Sequence, residues 1–253
     1  MCANTNPTIP LDRIKITWPK LPDDFVLPDD PVENSEHPLL ANALRQALPP
    51  ELVREALITT NFALCAGIRD RIVCKAADWM YVRPLEPWTY PYPRRSYTPH
   101  AEGPIPWVVM EFLSETYGEE YSMEFQQRVG KWYFYEQVIK VPTYVIFRPQ
   151  TGHLEVYSLE ANRYQLQTSN DDDRYWIQEL DLFLGIWQGT REDRTGNWLR
   201  WWNAQGEMLP WPEERAERER QRADTERQRA DTERQRAERL AERLRQMGVD
   251  PEG

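Results

Sequence analysis

Two carboxylic acids in apolar surroundings are the residues of this sequence best suited to do chemistry. Glu111 lies in the middle of VVMEFLS, a run that otherwise has the character of a buried strand, and Asp78 lies in a similar setting in KAADWMYV. Burying a carboxylate costs on the order of several kcal/mol unless the group is protonated, paired or bound to a cation. Each acid therefore needs a compensating partner.

A divalent cation shared by the two acids is one such partner. If neighbouring strands bring Asp78 and Glu111 together, an ion removes their mutual repulsion, and ligation by oxygen atoms alone suits Mg²⁺ or Mn²⁺. Lys75 precedes Asp78, and Lys131 follows in the next helical segment. An ammonium group beside such an ion orients a water molecule or stabilises negative charge on a phosphate.

The same residues also have a purely structural interpretation. Asp78 would then be a solvated strand end, Glu111 would pair with an arginine, and Lys131 would lie on a helix surface. The spacing alone leaves both interpretations open. His37, at the start of the first predicted helix, likewise either reaches this site or serves as a capping or surface residue.

The loop sequence PRRSY is a candidate nucleic-acid contact. Arg94 and Arg95 offer guanidinium groups for phosphates, and Tyr90, Tyr92 and Tyr97 offer rings for stacking. An ordinary exposed arginine pair is the alternative.

Composition sets limits on the class of protein. With 40% apolar residues, the 253-residue chain can build one globular core with an appendage. The net charge of −10 counts against general nucleic-acid binding, which depends on lysine and arginine. We expect a cytoplasmic protein with no membrane association, because the sequence has neither a secretory signal nor an apolar run approaching the ~18 residues of a membrane helix.

The three cysteines are an odd number without CxxC spacing, which argues against a disulfide framework and against a zinc site. Cys65 and Cys74 are therefore predicted to be small core residues.

The elements that must position the acids follow from periodicity and from proline. SEHPLLANALRQALPPEL predicts a helix, and LITTNFALCAG, RIVCKAADWMYV and PWVVMEFLS predict three strands, with a proline-rich loop before the third. EFQQRVGKWYFYEQVIK predicts a second helix, PTYVIFRP and LEVYSL a hairpin, and the tryptophan-rich segments that follow predict further β elements. The order indicates an α/β (α+β) domain built on a mixed sheet.

Three regions can be separated. Residues 1–34 are predicted to be an extended arm, residues 35–212 the globular domain, and residues 213–248 one long helix in which ERQRADT occurs twice. Alanine recurs every seven residues in this helix, but the other seam positions are charged until Leu240. The segment is therefore a solvated single helix, or a weak coiled coil that joins two chains near Leu240 and Leu244.

The succession KAADWMYV, PIPWVVMEFLSE, GKWYFYEQVIKVPTYVIFRP, LEVYSLEANRYQ and WLRWWNAQGEMLPWPEERAERERQRA resembles the bacterial Uma-type family of restriction endonucleases, within the PD-(D/E)XK nuclease superfamily. The resemblance runs from about His37 into the charged C-terminal helix. It implies a restriction-endonuclease-like central mixed sheet flanked by helices, so residues 35–212 would be a PD-(D/E)XK nuclease-like domain.

The resemblance also implies roles for individual residues. Asp78 and Glu111 would be the metal-binding acids, although Ala77 stands where the superfamily usually has proline. Leu113 occupies the place of the usual lysine, and the family pattern assigns that charge to Lys131 on the following helix. Tyr135, four residues after Lys131, is expected mainly to pack between helix and sheet.

The implied activity is Mg²⁺-dependent (or Mn²⁺-dependent) hydrolysis of phosphodiester bonds in DNA, with Asp78, Glu111 and Lys131 as catalytic residues. Two alternatives from other classes stay open. One is a nuclease-like module that binds nucleic acid or protein without turnover, and the other is a scaffold that forms homo-oligomers through the C-terminal helix.

Overall fold

The computed structural model describes residues 16–20, 35–85, 87–89, 91–113, 121–123 and 129–247. The chain forms two compact units, residues 1–209 and 210–253. Most of the predicted N-terminal arm lies outside the described residues, as do Tyr90 and the first residues of the predicted second helix.

Thirteen strands and four α-helices are described. The first unit contains β1 (Ile16–Thr17), α1 (His37–Ala47), α2 (Pro50–Val53), β2 (Leu57–Thr59), β3 (Phe62–Ile68), β4 (Arg71–Ala77), β5 (Trp79–Val82), β6 (Ser96–Tyr97), β7 (Val108–Phe112), α3 (Lys131–Tyr133) continued by a π-helical segment (Phe134–Ile139), β8 (Thr143–Arg148), β9 (His153–Glu160), β10 (Arg163–Leu166), β11 (Tyr175–Ile177), β12 (Leu182–Arg191) and β13 (Arg194–Trp202). The second unit contains α4 (Pro212–Gln246).

A six-stranded mixed sheet is the centre of the first unit. Its strand order is β10-β9-β8-β7-β5-β2, and β7–β8 is the parallel pair among its antiparallel neighbours. β3, β4, β1 and β6 form a second sheet, and β11, β12 and β13 form a third. This arrangement, with several sheets and a long C-terminal helix, confirms the predicted α/β (α+β) fold class and agrees with a restriction-endonuclease-like fold.

One bent hairpin connects the central sheet to the second sheet. β2 pairs with β5 and β3 pairs with β4 in a single continuous register, from Thr59 opposite Met80 to Phe62 opposite Ala77. The bend lies at Asn61, whose φ is 44°, and at Asp78, whose carbonyl accepts the Asn61 N–H at 3.4 Å. Asparagine tolerates this left-handed conformation better than most residues. The two runs predicted as single strands therefore each divide between two sheets.

Two different layers cover the central sheet. On one face, the π-helical segment packs Val138 and Tyr135 against Val109 and Ile146. On the other face, Trp79 lies against Trp201 of β13, with ring centroids 6.1 Å apart. Trp201 also donates from Nε1 to the Leu44 carbonyl at 3.0 Å, which ties α1 to β13.

The predicted second helix is present from Lys131 onward, but most of it is π-helical rather than α-helical. The segment ends where Lys140 adopts a φ of 63° and the Val141 N–H reaches the Tyr135 carbonyl at 3.0 Å. Pro142 follows and has no N–H to continue the helix.

The prediction that the cysteines form no disulfide is wrong, although Cys65 is buried in the core as expected. Cys65 and Cys74 lie directly opposite each other on β3 and β4, and their sulfur atoms are joined in a disulfide. The two residues are nine positions apart in the sequence, and only the hairpin register makes them neighbours.

None of the helices in the described ranges is both long enough and apolar enough to cross a membrane. The longest, α4, has a charged surface along its length.

Candidate active site

Asp78 occupies the bend of the long hairpin, immediately before β5. Its Oδ2 accepts the backbone N–H of Phe112 at 2.6 Å, and its Oδ1 lies 3.4 Å from Nδ1 of His37 in α1. Extending the β5–β7 register by one residue beyond Trp79 and Met110 brings Asp78 opposite Glu111. Residues opposite each other on neighbouring strands share a face of the sheet, so the two acids are neighbours.

Glu111 is the most deeply buried member of the site, with 1% of its side chain exposed. Lys131 donates from Nζ to Oε2 at 2.9 Å, and the Tyr135 hydroxyl donates to Oε1 at 2.8 Å. One helical turn separates these donors, so α3 and the π-helical segment offer both groups to one carboxylate. The lysine amine and the two acids thus come together beside β7.

Burial sets the electrostatics of this cluster. It raises the pKa of Glu111 to about 8; the Lys131 ammonium opposes the shift, and the charge of Asp78 adds to it. Burial and the nearby Glu111 carboxylate hold the pKa of Tyr135 well above its usual value. Tyr135 therefore keeps its proton and remains a hydrogen-bond donor.

The structure brings Asp78, Glu111 and Lys131 together, and it adds two residues whose proximity the sequence left open. His37 contacts Asp78, and Tyr135, expected mainly to pack, contacts Glu111. The four-residue spacing of Lys131 and Tyr135 was the available signal for Tyr135. The position of His37 at the start of the first predicted helix did not decide between its two interpretations, because its contact depends on how α1 packs on the sheet.

The donor set fits a divalent cation. Among the described residues, no three His, Cys, Asp or Glu side chains form a group able to hold a metal by themselves. Mg²⁺ is commonly bound by one or two carboxylates, with waters and substrate phosphate oxygens completing its shell. Asp78 and Glu111 supply that number of carboxylates, and a cation beside them would stabilise the charged form of Glu111, which burial and the charge of Asp78 both disfavour.

Arg94 and Arg95 belong to a different cluster, in the loop between β5 and β7. Arg94 forms an ion pair with Glu102 at 3.3 Å and lies over the ring of Trp88, 4.1 Å from its centroid. Its side chain is 9% exposed, whereas Arg95 is exposed. Arg94 therefore organises the loop, and Arg95 with the exposed Tyr92 forms the loop surface.

A family model named Uma2, described as "Putative restriction endonuclease", matches residues 26–191. A search of the curated proteins finds no match. The matched region contains the central sheet, Asp78, Glu111 and Lys131. The chain belongs to the Uma2 family of putative restriction endonucleases.

Proposed function

We propose that this protein is a divalent-metal-dependent endonuclease that hydrolyses phosphodiester bonds of DNA. The observation that carries the proposal is the convergence of Asp78, Glu111 and Lys131 on one side of the central sheet. Membership of a restriction endonuclease family supports the reaction class, and the two-carboxylate donor set supports Mg²⁺ or Mn²⁺ as the cofactor.

Asp78 and Glu111 are the residues that would hold the ion. When bound, the ion supplies positive charge that lowers the pKa of a water molecule and offsets negative charge in the transition state. Asp78 is prepared for this role because the Phe112 N–H fixes one of its oxygens and His37 lies beside the other.

Lys131 and Tyr135 orient the second acid. The Tyr135 hydroxyl fixes Oε1 of Glu111, and the Lys131 ammonium, which carries three N–H donors, lies at Oε2. Lys131 is the group best placed to orient the attacking water. Tyr135 is a positioning residue that acts through Glu111.

The experiment is a nicking assay on supercoiled plasmid with the full-length protein, with and without Mg²⁺ or Mn²⁺. We expect metal-dependent nicking, and we expect Asp78→Asn, Glu111→Gln and Lys131→Met each to reduce its rate by about 100-fold or more. Glu51→Gln, a matched control on the exposed surface of α2, should nick like the wild type. Nicking that survives both acid substitutions would place the reaction elsewhere.

A binding module without turnover is the second candidate function. Leu113, which stands at the usual lysine position, favours it. The two functions separate in the same experiment, because a binding module retains labelled DNA in a mobility-shift assay but leaves plasmid intact with every metal.

A further inference from the structure

A polar cluster on β8 and β9 lies on the same face of the central sheet as Glu111. Glu111 is paired with Ile146 of β8, and Ile146 is paired with Glu155 of β9. Two residues further along β8, Arg148 is paired with His153. Because paired residues share a face, this row continues the site across two more strands.

The register also gives the distance from Arg148 to the site. Strands are about 4.8 Å apart and residues rise about 3.3 Å each, so the Cα atoms of Arg148 and Glu111 are about 8 Å apart. Arg148 is the last residue of β8 and lies beside Leu113, at the end of the sheet where β7 also stops. An arginine side chain is long enough to reach the space in front of both strand ends.

Arg148 is held by a chain of contacts. Its Nη2 donates to the Tyr121 hydroxyl at 3.2 Å, and that hydroxyl donates to Oε2 of Glu155. His153 Nε2 lies 3.0 Å from the other oxygen of Glu155. Although burial works to raise the pKa of Glu155, hydrogen bonds from Tyr121 and His153 hold it below its ordinary value. The carboxylate thus stays charged and fixes the tyrosine that orients the arginine.

The same tyrosine connects the cluster to the helix that carries the catalytic lysine. The ring of Tyr121 stacks on Trp132 with centroids 6.1 Å apart, and Trp132 is the residue after Lys131. Arg148 is therefore connected, through Tyr121 and Trp132, to the helix that carries Lys131. Arg148 and Lys131 both face the side of the sheet that carries Asp78 and Glu111.

We propose that Arg148, positioned by Tyr121, binds a phosphate of the nucleic-acid backbone next to the phosphate that is cleaved. This inference rests on the proposed function, because it takes the Asp78–Glu111 pair as the place of the scissile phosphate. A planar guanidinium binds phosphate oxygens through paired N–H donors, and it remains charged at every physiological pH. Arg148, which is half-buried at the end of β8, is thus already positioned to contact a phosphate of a nucleic-acid backbone.

The alternative is that Arg148 only joins β8 to Tyr121. The test measures binding of a fluorescein-labelled 30-base-pair DNA duplex by the full-length protein in Ca²⁺, across a series of NaCl concentrations. We expect Arg148→Ala to weaken binding at least about fivefold at low salt. The slope of log affinity against log salt should fall in magnitude by about one, which is the effect of losing one phosphate contact.

Three further variants control for folding and for net charge. Arg148→Lys should keep the salt slope while losing part of the affinity, and Tyr121→Phe should weaken binding less than Arg148→Ala does. Arg71→Ala removes an exposed charge at the far end of the hairpin and should match the wild type. Thermal melting confirms that each variant is folded.

The outcomes separate the two proposals. Suppose that the wild type binds and nicks DNA while Arg148→Ala keeps the wild-type affinity and salt slope. The proposed phosphate contact is then wrong, and the proposed nuclease activity is supported. Suppose instead that the wild type binds DNA without nicking it and Arg148→Ala lowers the salt slope. The phosphate contact is then supported, and the proposed nuclease activity is wrong. If the wild type binds no DNA, both are wrong.

Discussion

Glu111 shows how a single residue in an apolar strand can indicate chemistry. Its unusual setting in VVMEFLS was visible in the sequence, as were the similar setting of Asp78 and the later lysine. The partners of these acids were less visible, because His37 approaches through the packing of α1 and Tyr135 through a helix whose π-helical form no local rule predicts. Residue types near an expected strand therefore indicated which side chains the fold brings together, and tertiary contacts added His37 and Tyr135.

The raised pKa of Glu111 predicts a pH-dependent stability. Since that pKa is about 8 in the folded chain, the folded state holds a proton that the unfolded state releases near the ordinary carboxyl pKa. The stabilisation is complete below that ordinary value and is lost as the pH rises through 8. From pH 6 to pH 8, we expect the free energy of unfolding of the metal-free protein to fall by on the order of 2 kcal/mol relative to Glu111→Gln.

Urea unfolding at several pH values measures this difference, and added Mn²⁺ should reduce it. Parallel pH profiles for the wild type and Glu111→Gln would show that Glu111 has the same pKa in both states.

Tyr135→Phe tests the positioning role of the tyrosine. The Tyr135 hydroxyl lowers the pKa of Glu111, so its removal should move the acid limb of the nicking rate to higher pH. Near pH 7 it should also destabilise the metal-free fold by about 0.5–1.5 kcal/mol, because the buried hydrogen bond to the protonated Glu111 carboxyl is lost. A loss of stability with an unchanged pH profile of the nicking rate would show that Tyr135 contributes to packing only.

At the scale of elements, the long hairpin decides where Asp78 lies. The two runs LITTNFALCAG and RIVCKAADWMYV predicted strands correctly, but neither has a proline or glycine at the bend that would have marked it. Sequence periodicity therefore could not show that each run divides between two sheets. The conformation of Asn61 and the hydrogen bond from Phe112 to Asp78 form only when both sheets are assembled.

Gly130 fixes the start of the element that carries Lys131. A Cβ atom at this position would lie 2.0 Å from the carbonyl oxygen of Ser122, which belongs to the backbone and cannot rotate away. We expect Gly130→Ala to shift α3, to destabilise the protein by about 1–3 kcal/mol and to reduce nicking together with it.

Gly196→Ala is the matched control for this substitution. Its nearest neighbour would be the end of the Arg194 side chain, at 3.3 Å, in the third sheet, and no backbone atom is among the three nearest. The control should nick at the wild-type rate, and equal effects of the two substitutions would show that α3 plays no special part.

At the scale of the whole molecule, the second unit is a charged helix whose role stays a prediction. The described surface of α4 is exposed over nearly its whole length, and pairs such as Arg234 and Glu238, 3.0 Å apart, follow its turns. We expect a peptide of residues 210–253 to have a helix content independent of concentration and lowered by NaCl, because exposed ion pairs are screened by salt.

Circular dichroism over a hundredfold concentration range measures this property. Helix content that rises with concentration would instead support the homo-oligomer, joined near Leu240 and Leu244. The proposed nuclease should in either case keep its activity in a chain that ends after Pro212.

We propose above all that Asp78 and Glu111 share a divalent cation. Titration of the wild-type protein with Mn²⁺, monitored by the electron paramagnetic resonance of the free ion, tests it without any assumption about the DNA sequence. We predict saturable binding that tightens from pH 6 to pH 8, and at least tenfold weaker binding by Asp78→Asn and by Glu111→Gln. Equal binding by the wild type and both variants, or no binding by the wild type, would contradict the claim.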